Sequence, residues 1–369
     1  MRLDPPHEPM PLTVRLDANI GYGCNNDCLF CYFRDRKSGS GHLPTGDAKR
    51  LLERIRAAGM EDVELTGGEA TLHPEIADIV EYAKKRLMFR SVSVITNGCR
   101  MCERGFTEEL AGAGLDDALI SIHGADAHAH DALTRRQGSF DEAVAAARNA
   151  RACGLTCRTN TVVNGRNYES VAEIARLVSS LGVEHANFIH FSPLDDAELA
   201  DDAMMPRYSE TSGFLKPMLD AYGGRIRELS VKVIPFCFME GYEGHVVDLY
   251  QNCYDPYEWD YYTRVGIRRG RHVAFAAAAL GMSAYLGAGR AVRLGFQRSL
   301  REGIMRVEAM RHCAKAKACG ECRYDWICPG VWKAYARRYG LGELRPVVGE
   351  RVCRSDYYLG PRRMNVGDD

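Results

Sequence analysis

Residues 24–31 read Cys24-Asn-Asn-Asp-Cys28-Leu-Phe-Cys31, so three cysteines fall within one short loop, separated by three and by two residues. Thiolates this close together can ligate three irons of a cubane iron–sulfur cluster. The fourth iron would then have no protein ligand and would be open to substrate. A tetrahedral zinc site needs four ligands, and no histidine or fourth cysteine stands beside these three. Free buried thiols are the alternative interpretation, but the spacing favours a cluster.

An aromatic residue, Phe30, directly precedes the third cysteine, and with it the loop resembles the signature of the radical S-adenosylmethionine superfamily. The resemblance implies that Cys24, Cys28 and Cys31 hold a [4Fe-4S] cluster and that Phe30 lies in the S-adenosylmethionine site. The open iron of such a cluster binds the amino and carboxylate groups of S-adenosylmethionine. One electron then cleaves the sulfonium, and the 5′-deoxyadenosyl radical removes a hydrogen atom from the substrate.

The composition of the 369-residue chain is that of an ordinary globular protein with a sizeable core. The formal net charge is −1, which gives no reason to expect a nucleic acid as partner. The N-terminus has no apolar signal segment. The apolar run 273–288 is too short and too often interrupted by glycine for a membrane span, so a buried helix is expected there. Fourteen cysteines without a secretory signal favour metal ligation in a reducing cytoplasm over a disulfide scaffold.

Strands and helices alternate regularly in the first half of the chain. This alternation predicts an α/β fold with a parallel sheet and helices outside it. The predicted strands are 12–20, 62–66, 91–96, 117–122, 157–163 and 183–191, with a separate strand at 231–236. The resemblance implies a partial (β/α)6 TIM-like barrel over 12–235, followed by a small cysteine-rich domain over 236–369.

Polar residues follow the predicted strands, and ligands of parallel α/β sheets collect at these strand ends. Gly67-Gly68-Glu69 follows the second strand. Two glycines let backbone groups approach a ligand closely, and a carboxylate can pair with an ammonium group. In this position the tripeptide resembles the family's motif for the methionine end of S-adenosylmethionine. The resemblance also implies contacts with this cofactor from three further residues, for which a turn or strand-end cap is the alternative: Asn97, Ser121 and Asn160.

Histidines are weaker candidates for the site. His123 and His190 fall at strand ends and either of them could touch a substrate, but a lone histidine is more often a structural residue. His128 and His130 fall on a loop or a helix start and predict no site.

A second group of cysteines lies near the C-terminus. Cys319, Cys322 and Cys328 follow a Cys-x2-Cys-x5-Cys pattern that resembles the auxiliary-cluster region of SPASM and Twitch domains. Trp332 stands where the SPASM pattern continues with a cysteine, and its upstream element is missing, so one auxiliary [4Fe-4S] cluster is expected rather than two. The resemblance implies Cys353 or Cys313 as its fourth ligand. A structural zinc held by the same residues is the alternative.

Cys237 and Cys253 are left outside both groups. One of them, with Cys237 as the candidate, is interpreted either as a hydrogen donor that quenches a substrate radical or as a plain buried thiol.

The resemblance implies an enzyme that abstracts hydrogen from its substrate, with a reductase, flavodoxin or ferredoxin as electron donor. Its expected function is oxidative maturation or cross-linking of a ribosomally made peptide. Only about eleven residues precede the first predicted strand, so no N-terminal peptide-recognition domain is expected. Oxidation, epimerisation or dehydration of a sugar, aminocyclitol or other small molecule is the alternative. An iron–sulfur scaffold or electron carrier is the alternative from another class, although a carrier would need no Gly-Gly-Glu motif.

Overall fold

The computed structural model describes residues 2–3, 8–33, 41–193, 202–260 and 296–359. Residue contacts divide the chain into two compact units. We call Asp17–Lys232 the barrel unit, and we call Met1–Leu16 together with Val233–Asp369 the cysteine-rich unit. The predicted run 273–288 and nearly all of the acidic segment 195–202 lie outside the described residues.

The barrel unit is built on a β-sheet whose strands stand side by side in the order of the sequence. Neighbouring strands from the second to the last run parallel, as the alternation with helices predicts. The strands of this unit are β1 (Arg15–Asn19), β2 (Asp62–Thr66), β3 (Ser91–Thr96), β4 (Asp117–Ser121), β5 (Thr156–Val163), β6 (His185–His190) and β7 (Glu228–Lys232). The predicted α/β fold with a parallel sheet is confirmed.

Amphipathic helices connect the strands. In α1, for example, Ala48, Leu52 and Ile55 are fully buried on one face, at the spacing that a helix requires. The helices among the described residues of this unit are α1 (Thr45–Ala57), α2 (Ile76–Glu81) with a π-helical turn at Tyr82–Arg86, α3 (Arg104–Ala113), α4 (Ala127–Thr134), α5 (Ser139–Ala152), α6 (Val171–Ser180) and α7 (Tyr208–Tyr222). Among the described residues, no helix has both the length and the apolar character that crossing a membrane requires.

Helix α4 lies where the sequence indicates only a loop or a helix start. Its sequence has little amphipathic periodicity, but Asp126 caps its first turn by accepting a hydrogen bond from the Ala129 backbone at 2.9 Å. Arg135, in the left-handed region at φ 56°, ends it. The helix is therefore defined by its two ends rather than by an apolar stripe.

Strand β7 departs from the sequence-based prediction of a strand over 231–236. It begins earlier and ends at Lys232, because Val233 has φ 60° and turns the chain out of the extended conformation. Pro235 then precedes a 3-10 turn at Phe236–Phe238. The strand pairs in parallel with β6, so it continues the series of the first half of the chain instead of standing apart from it.

The two faces of the sheet differ in polarity. Val63 and Leu65 share one face of β2 and are fully buried, whereas Glu64 points to the opposite face and is also buried. On that opposite face the guanidinium of Arg158 donates to Asp117 at 2.7 Å and to Glu64 at 2.5 Å. Ion pairs buried this deeply connect β2, β4 and β5 across the sheet.

In its described residues, the cysteine-rich unit has short strands and two helices, α8 (Phe296–His312) and α9 (Lys333–Tyr339). Arg2–Leu3 pairs in parallel with Arg351–Val352, and Cys313–Ala314 pairs antiparallel with Val331–Trp332. A core cluster contains Met10, Val247, Tyr250, Cys253, Tyr254, Met305, Ala309 and Leu359. Tyr250 and Tyr254 are thus part of a packed core in this unit.

Candidate active site

The end of helix α4 holds the cysteine loop (24–31), which follows β1. The backbone N–H of Asp27 donates to the carbonyl of Thr134 at 3.0 Å, and that of Leu29 donates to Leu133 at 3.0 Å. These carbonyls belong to the last turn of α4, where helical carbonyls have no partner within the helix. The loop conformation therefore depends on where α4 ends.

A chain of polar contacts fixes the same loop from the side. Asn26 is buried, and its Oδ1 accepts a hydrogen bond from Nε of Arg136 at 2.7 Å. Arg136 in turn forms an ion pair with Glu142 of α5, and Arg135 pairs with Asp27 at 2.8 Å. These contacts hold the backbone between the first and second cysteines.

The loop cysteines fit the role of cluster ligands. All three are partly exposed free thiols, and Cys24 Sγ accepts a hydrogen bond from the backbone N–H of Asn26 at 3.4 Å. Within the described ranges, no three histidine, cysteine or acidic side chains are close enough together to hold a single metal ion. A cubane cluster makes a different demand, because each thiolate ligates a separate iron and the sulfurs need not converge on one point.

The two glycines of Gly67-Gly68-Glu69 pack against the backbone that leads into the cysteine loop. A Cβ on Gly67 would lie 2.1 Å from the carbonyl oxygen of Gly21, and one on Gly68 would lie 2.3 Å from that of Gly23. The backbone N–H groups of Gly68 and Glu69 donate to these same carbonyls at 3.0 and 2.8 Å. The glycines are thus needed for contact between two backbone segments. From the sequence alone, only the close approach of a ligand explained them.

The carboxylate of Glu69 is buried and connects the ends of β2 and β3. It accepts hydrogen bonds from Thr71, from the Thr96 hydroxyl at 2.7 Å and from the Asn97 backbone at 2.6 Å. Burial raises the pKa of this carboxyl group, although these hydrogen bonds act to lower it. Its pairing with the ammonium group of S-adenosylmethionine stays a prediction, and the contacts with neighbouring strand ends are an additional role.

Asn97 lies next to the first cysteine. Its Nδ2 donates to Asn25 Oδ1 at 2.7 Å and lies 3.9 Å from Cys24 Sγ. The end of β3 and the start of the cysteine loop are therefore in direct contact through this amide.

Phe30 packs against His123 with its ring centroid 4.6 Å away. His123 is buried, and its Nδ1 accepts a hydrogen bond from the Val162 backbone at 3.2 Å. Nδ1 of His130 accepts from the His123 backbone at 3.1 Å. Burial and the neighbouring imidazole lower the pKa of His123 well below its ordinary value, and burial lowers that of His130 to about 4. Both imidazoles are neutral near pH 7, and their contacts are those of structural residues.

His190 is also a buried structural residue. Its Nε2 lies 3.2 Å from the Pro206 carbonyl, and its ring packs 4.4 Å from that of Tyr208. Burial lowers its pKa to about 4. It points to the face of β6 opposite to Asn187, because the side chains of a strand alternate.

Four polar residues occupy one row across neighbouring strands of the sheet. Ser121 of β4 pairs with Asn160 of β5, Asn160 with Asn187 of β6, and Asn187 with Ser230 of β7. Asn187 Nδ2 donates to Asn160 Oδ1 at 2.9 Å, while its own buried Oδ1 has no hydrogen-bond partner among the described residues. Sequence analysis identified Ser121 and Asn160 but missed Asn187 and Ser230, whose place in the row follows only from strand register.

The other predicted ligands lie in the cysteine-rich unit. Cys319 and Cys322 lie in and just after the 3-10 turn Lys317–Glu321, and the Cys322 backbone donates to the Cys319 carbonyl at 3.0 Å. Cys313 begins a short strand, and Cys353 follows another.

Comparison with known proteins identifies the class of the barrel unit. Residues 18–178 match the model of the radical SAM superfamily. Over 186 residues the chain is 31% identical to a probable GTP 3′,8-cyclase of Saccharolobus islandicus, a match covering 50% of this chain and 59% of that protein. Over 170 residues it is 33% identical to the mycofactocin maturase MftC of Mycobacterium tuberculosis, covering 46% and 42%. The chain thus spans about half the length of the curated relatives it matches.

Solved structures show the same fold. SuiB of Streptococcus suis bound to the precursor peptide SuiA is 19% identical with a TM-score of 0.50, over 58% of this chain and 47% of that chain. Native anSMEcpe with bound AdoMet and the Kp18Cys peptide is 17% identical with a TM-score of 0.50, over 59% and 63%. Residues 18–178 thus match the radical SAM domain, which in that superfamily is the domain of enzymes that use a [4Fe-4S] cluster and S-adenosylmethionine.

Proposed function

We propose that this protein reductively cleaves S-adenosylmethionine and uses the resulting radical to abstract hydrogen from a ribosomally made peptide, in an oxidative maturation or cross-linking step. The observation that carries the proposal is the attachment of the backbone just before the cysteine loop, residues 21–23, to the backbone of the Gly-Gly-Glu motif, in a segment that matches the radical SAM superfamily. An electron carrier needs no such junction between a cluster loop and a second strand end. All fourteen cysteines are free thiols, as a reducing cytoplasmic setting would require.

Each part of the site has a defined task in this proposal. Cys24, Cys28 and Cys31 would hold the cluster, which when bound supplies the electron that cleaves the sulfonium. Asn97 donates toward Cys24, and N–H groups directed at cluster sulfurs tune reduction potential. Because Asn160 Oδ1 is occupied by Asn187, the Nδ2 of Asn160 is left to donate to a ligand oxygen. The electron would come from a reductase, flavodoxin or ferredoxin.

Support for a peptide substrate comes from the names of the relatives. MftC is named as a maturase, and SuiB is described in complex with its precursor peptide. The relative named GTP 3′,8-cyclase has a sequence identity comparable to that of MftC, and its name favours the second candidate, a small-molecule substrate. The two candidates share the first chemical step and differ in what receives the radical.

Formation of 5′-deoxyadenosine tests the first step. The anaerobically reconstituted protein is incubated with S-adenosylmethionine and dithionite, and 5′-deoxyadenosine is measured by chromatography. Substituting alanine for any of Cys24, Cys28 or Cys31 is expected to abolish the product. Cys153→Ala, a partly exposed thiol at the end of α5, is the matched control and should retain it. Retained cleavage in any of the three loop variants would sink the assignment.

The substrate class is tested by mass spectrometry. The wild-type protein is incubated with short peptides encoded beside its gene and, separately, with nucleotides and sugars. Loss of two hydrogens from a peptide, dependent on S-adenosylmethionine, supports the peptide proposal. A modified small molecule with every peptide unchanged would replace it by the second candidate.

A further inference from the structure

Arg136 is connected to a cysteine of the loop through one buried side chain. Its Nε donates to Oδ1 of Asn26 at 2.7 Å, and only 4% of Asn26 is exposed. The backbone N–H of the same Asn26 donates to Sγ of Cys24 at 3.4 Å. The guanidinium and the sulfur are therefore the two ends of a chain of hydrogen bonds that passes through a single residue.

This chain of contacts limits how far apart its two ends can lie. The two hydrogen bonds and the length of one asparagine place Nε of Arg136 no more than about 11 Å from Sγ of Cys24. A unit charge at this distance changes a one-electron equilibrium roughly tenfold at an effective dielectric constant of about 20, and only about twofold in bulk water. Because Asn26 between the two groups is buried, we expect the larger value.

Glu142 of α5 balances the charge of Arg136. Nη1 of Arg136 donates to Oε1 of Glu142 at 3.0 Å, and Nη2 donates to the second oxygen of the same carboxylate. The two side chains are 24% and 29% exposed, so water screens this pair only in part. The guanidinium thus contacts the cysteine loop through Nε and a carboxylate through both Nη atoms, and the loop is exposed to the field of both charges.

The neighbouring Arg135 carries the same charge in different surroundings. It pairs with Asp27 of the same loop at 2.8 Å, but these two side chains are 56% and 53% exposed. Water and salt largely screen exposed charges, and such surface pairs contribute little. Arg135 is therefore a natural reference for the effect of burial at Arg136.

We propose that Arg136 and Glu142 together set the reduction potential of the [4Fe-4S] cluster held by the cysteine loop, with Arg136 as a positioning residue that acts through Asn26. Reduction transfers one electron from the donor protein to the cluster and makes it more negative. The guanidinium stabilises this added charge and the carboxylate destabilises it. The inference rests on the proposed function, because it needs the cluster of the cysteine loop. It adds a control of how readily that cluster accepts the electron.

The test measures the ratio of reduced to oxidised cluster at a series of fixed potentials, by electron paramagnetic resonance of the anaerobically reconstituted full chain. The signal of the loop cluster is the one missing from the protein in which Cys24, Cys28 and Cys31 are all alanine. Arg136→Gln should lower the ratio roughly tenfold at a given potential, and Glu142→Gln should raise it roughly tenfold. Arg136→Lys keeps the charge and should stay within about twofold of wild type, as should the matched control Arg135→Gln.

Shifts in opposite directions are the decisive result, because loss of a merely structural contact would move Arg136→Gln and Glu142→Gln in the same direction. Unchanged ratios in both variants, or shifts of the same sign, would overturn the proposal. If Arg136→Gln binds no iron, Arg136→Lys and Glu142→Gln decide in its place, and an unchanged ratio in Glu142→Gln then overturns it.

Formation of 5′-deoxyadenosine by the wild type is measured in parallel, so that two kinds of failure can be told apart. Wild-type cleavage together with unchanged ratios in the variants refutes this inference alone. A wild type without the loop-cluster signal refutes the proposed function and this inference with it.

Discussion

Replacing Gly68 by alanine tests whether the Gly-Gly-Glu backbone holds the cysteine loop. The added Cβ would lie 2.3 Å from the carbonyl oxygens of both Tyr22 and Gly23, about 0.7 Å inside the 3.0 Å limit that real Cβ atoms respect. These are backbone atoms that cannot rotate away, so one of the two segments must move. The hydrogen bonds of 3.0 and 2.8 Å between the segments would be strained by the same movement.

We expect Gly68→Ala to destabilise the metal-free protein by about 1–3 kcal/mol, the usual cost of overpacking. It should also reduce the iron bound by the cysteine loop, because the residues that move lead directly to Cys24. Urea unfolding followed by circular dichroism measures the first effect, and iron per chain after reconstitution measures the second. Gly112→Ala in α3 is the control, since its Cβ would meet nothing within 4 Å and a helix favours alanine over glycine by about 0.5–1 kcal/mol.

An unchanged urea midpoint together with unchanged iron in Gly68→Ala would refute the packing argument. Unfolding as in wild type with iron lost would instead mean that the glycine acts on the cluster or ligand alone.

Three further predictions concern the barrel unit. Arg158→Met should lower the free energy of unfolding, measured in urea, by about 3–5 kcal/mol, because two buried carboxylates lose their counter-ion. Arg104→Met, which removes an exposed ion pair, should leave it nearly unchanged; similar losses in both variants would contradict the buried network. Burial lowers the pKa of His190 in the folded protein to about 4, below the unfolded value of 6.5. The neutral side chain therefore makes its full contribution to the free energy of unfolding above pH 6.5, and about 3 kcal/mol of that contribution is lost as the pH falls toward 4. His190→Gln should flatten the dependence of unfolding free energy on pH in that window, and the exposed His128→Gln should not; equal slopes in both variants would rule this out. Asn187→Leu should weaken binding of S-adenosylmethionine measured by calorimetry about fivefold or more, because the neighbouring amide loses the bond that orients it, and unchanged affinity would remove the amide pair from the site.

Much of the fold could be predicted from local patterns. Helix α1 follows from the spacing of its three fully buried residues, and the parallel sheet follows from strands that alternate with helices. Helix α4 and the end of β7 could not be placed in this way. The first depends on its Asp126 cap, and the second on the positive φ of Val233, which no residue preference indicates.

The candidate site divides in a similar way. The cysteine loop and the Gly-Gly-Glu motif are contiguous residues, so their spacing alone identified them. The extension of the polar row to Asn187 and Ser230 depends on strand register, which brings distant residues side by side. The roles of His123 and His190 also depend on tertiary structure. Their positions at strand ends were compatible with contact to a substrate, whereas their burial and backbone contacts favour structural roles.

The sequence by itself therefore determined the class of domain, because three clustered cysteines and alternating strands and helices are local properties of the chain. Tertiary structure alone decided why the motif glycines are required and which residues complete the polar row on the sheet. In the first case a Cβ would clash with carbonyls more than forty positions earlier in the chain. In the second, Asn187 and Ser230 lie in a row with Asn160 only through strand register, since a sequence fixes the order of residues and packing fixes which of them touch.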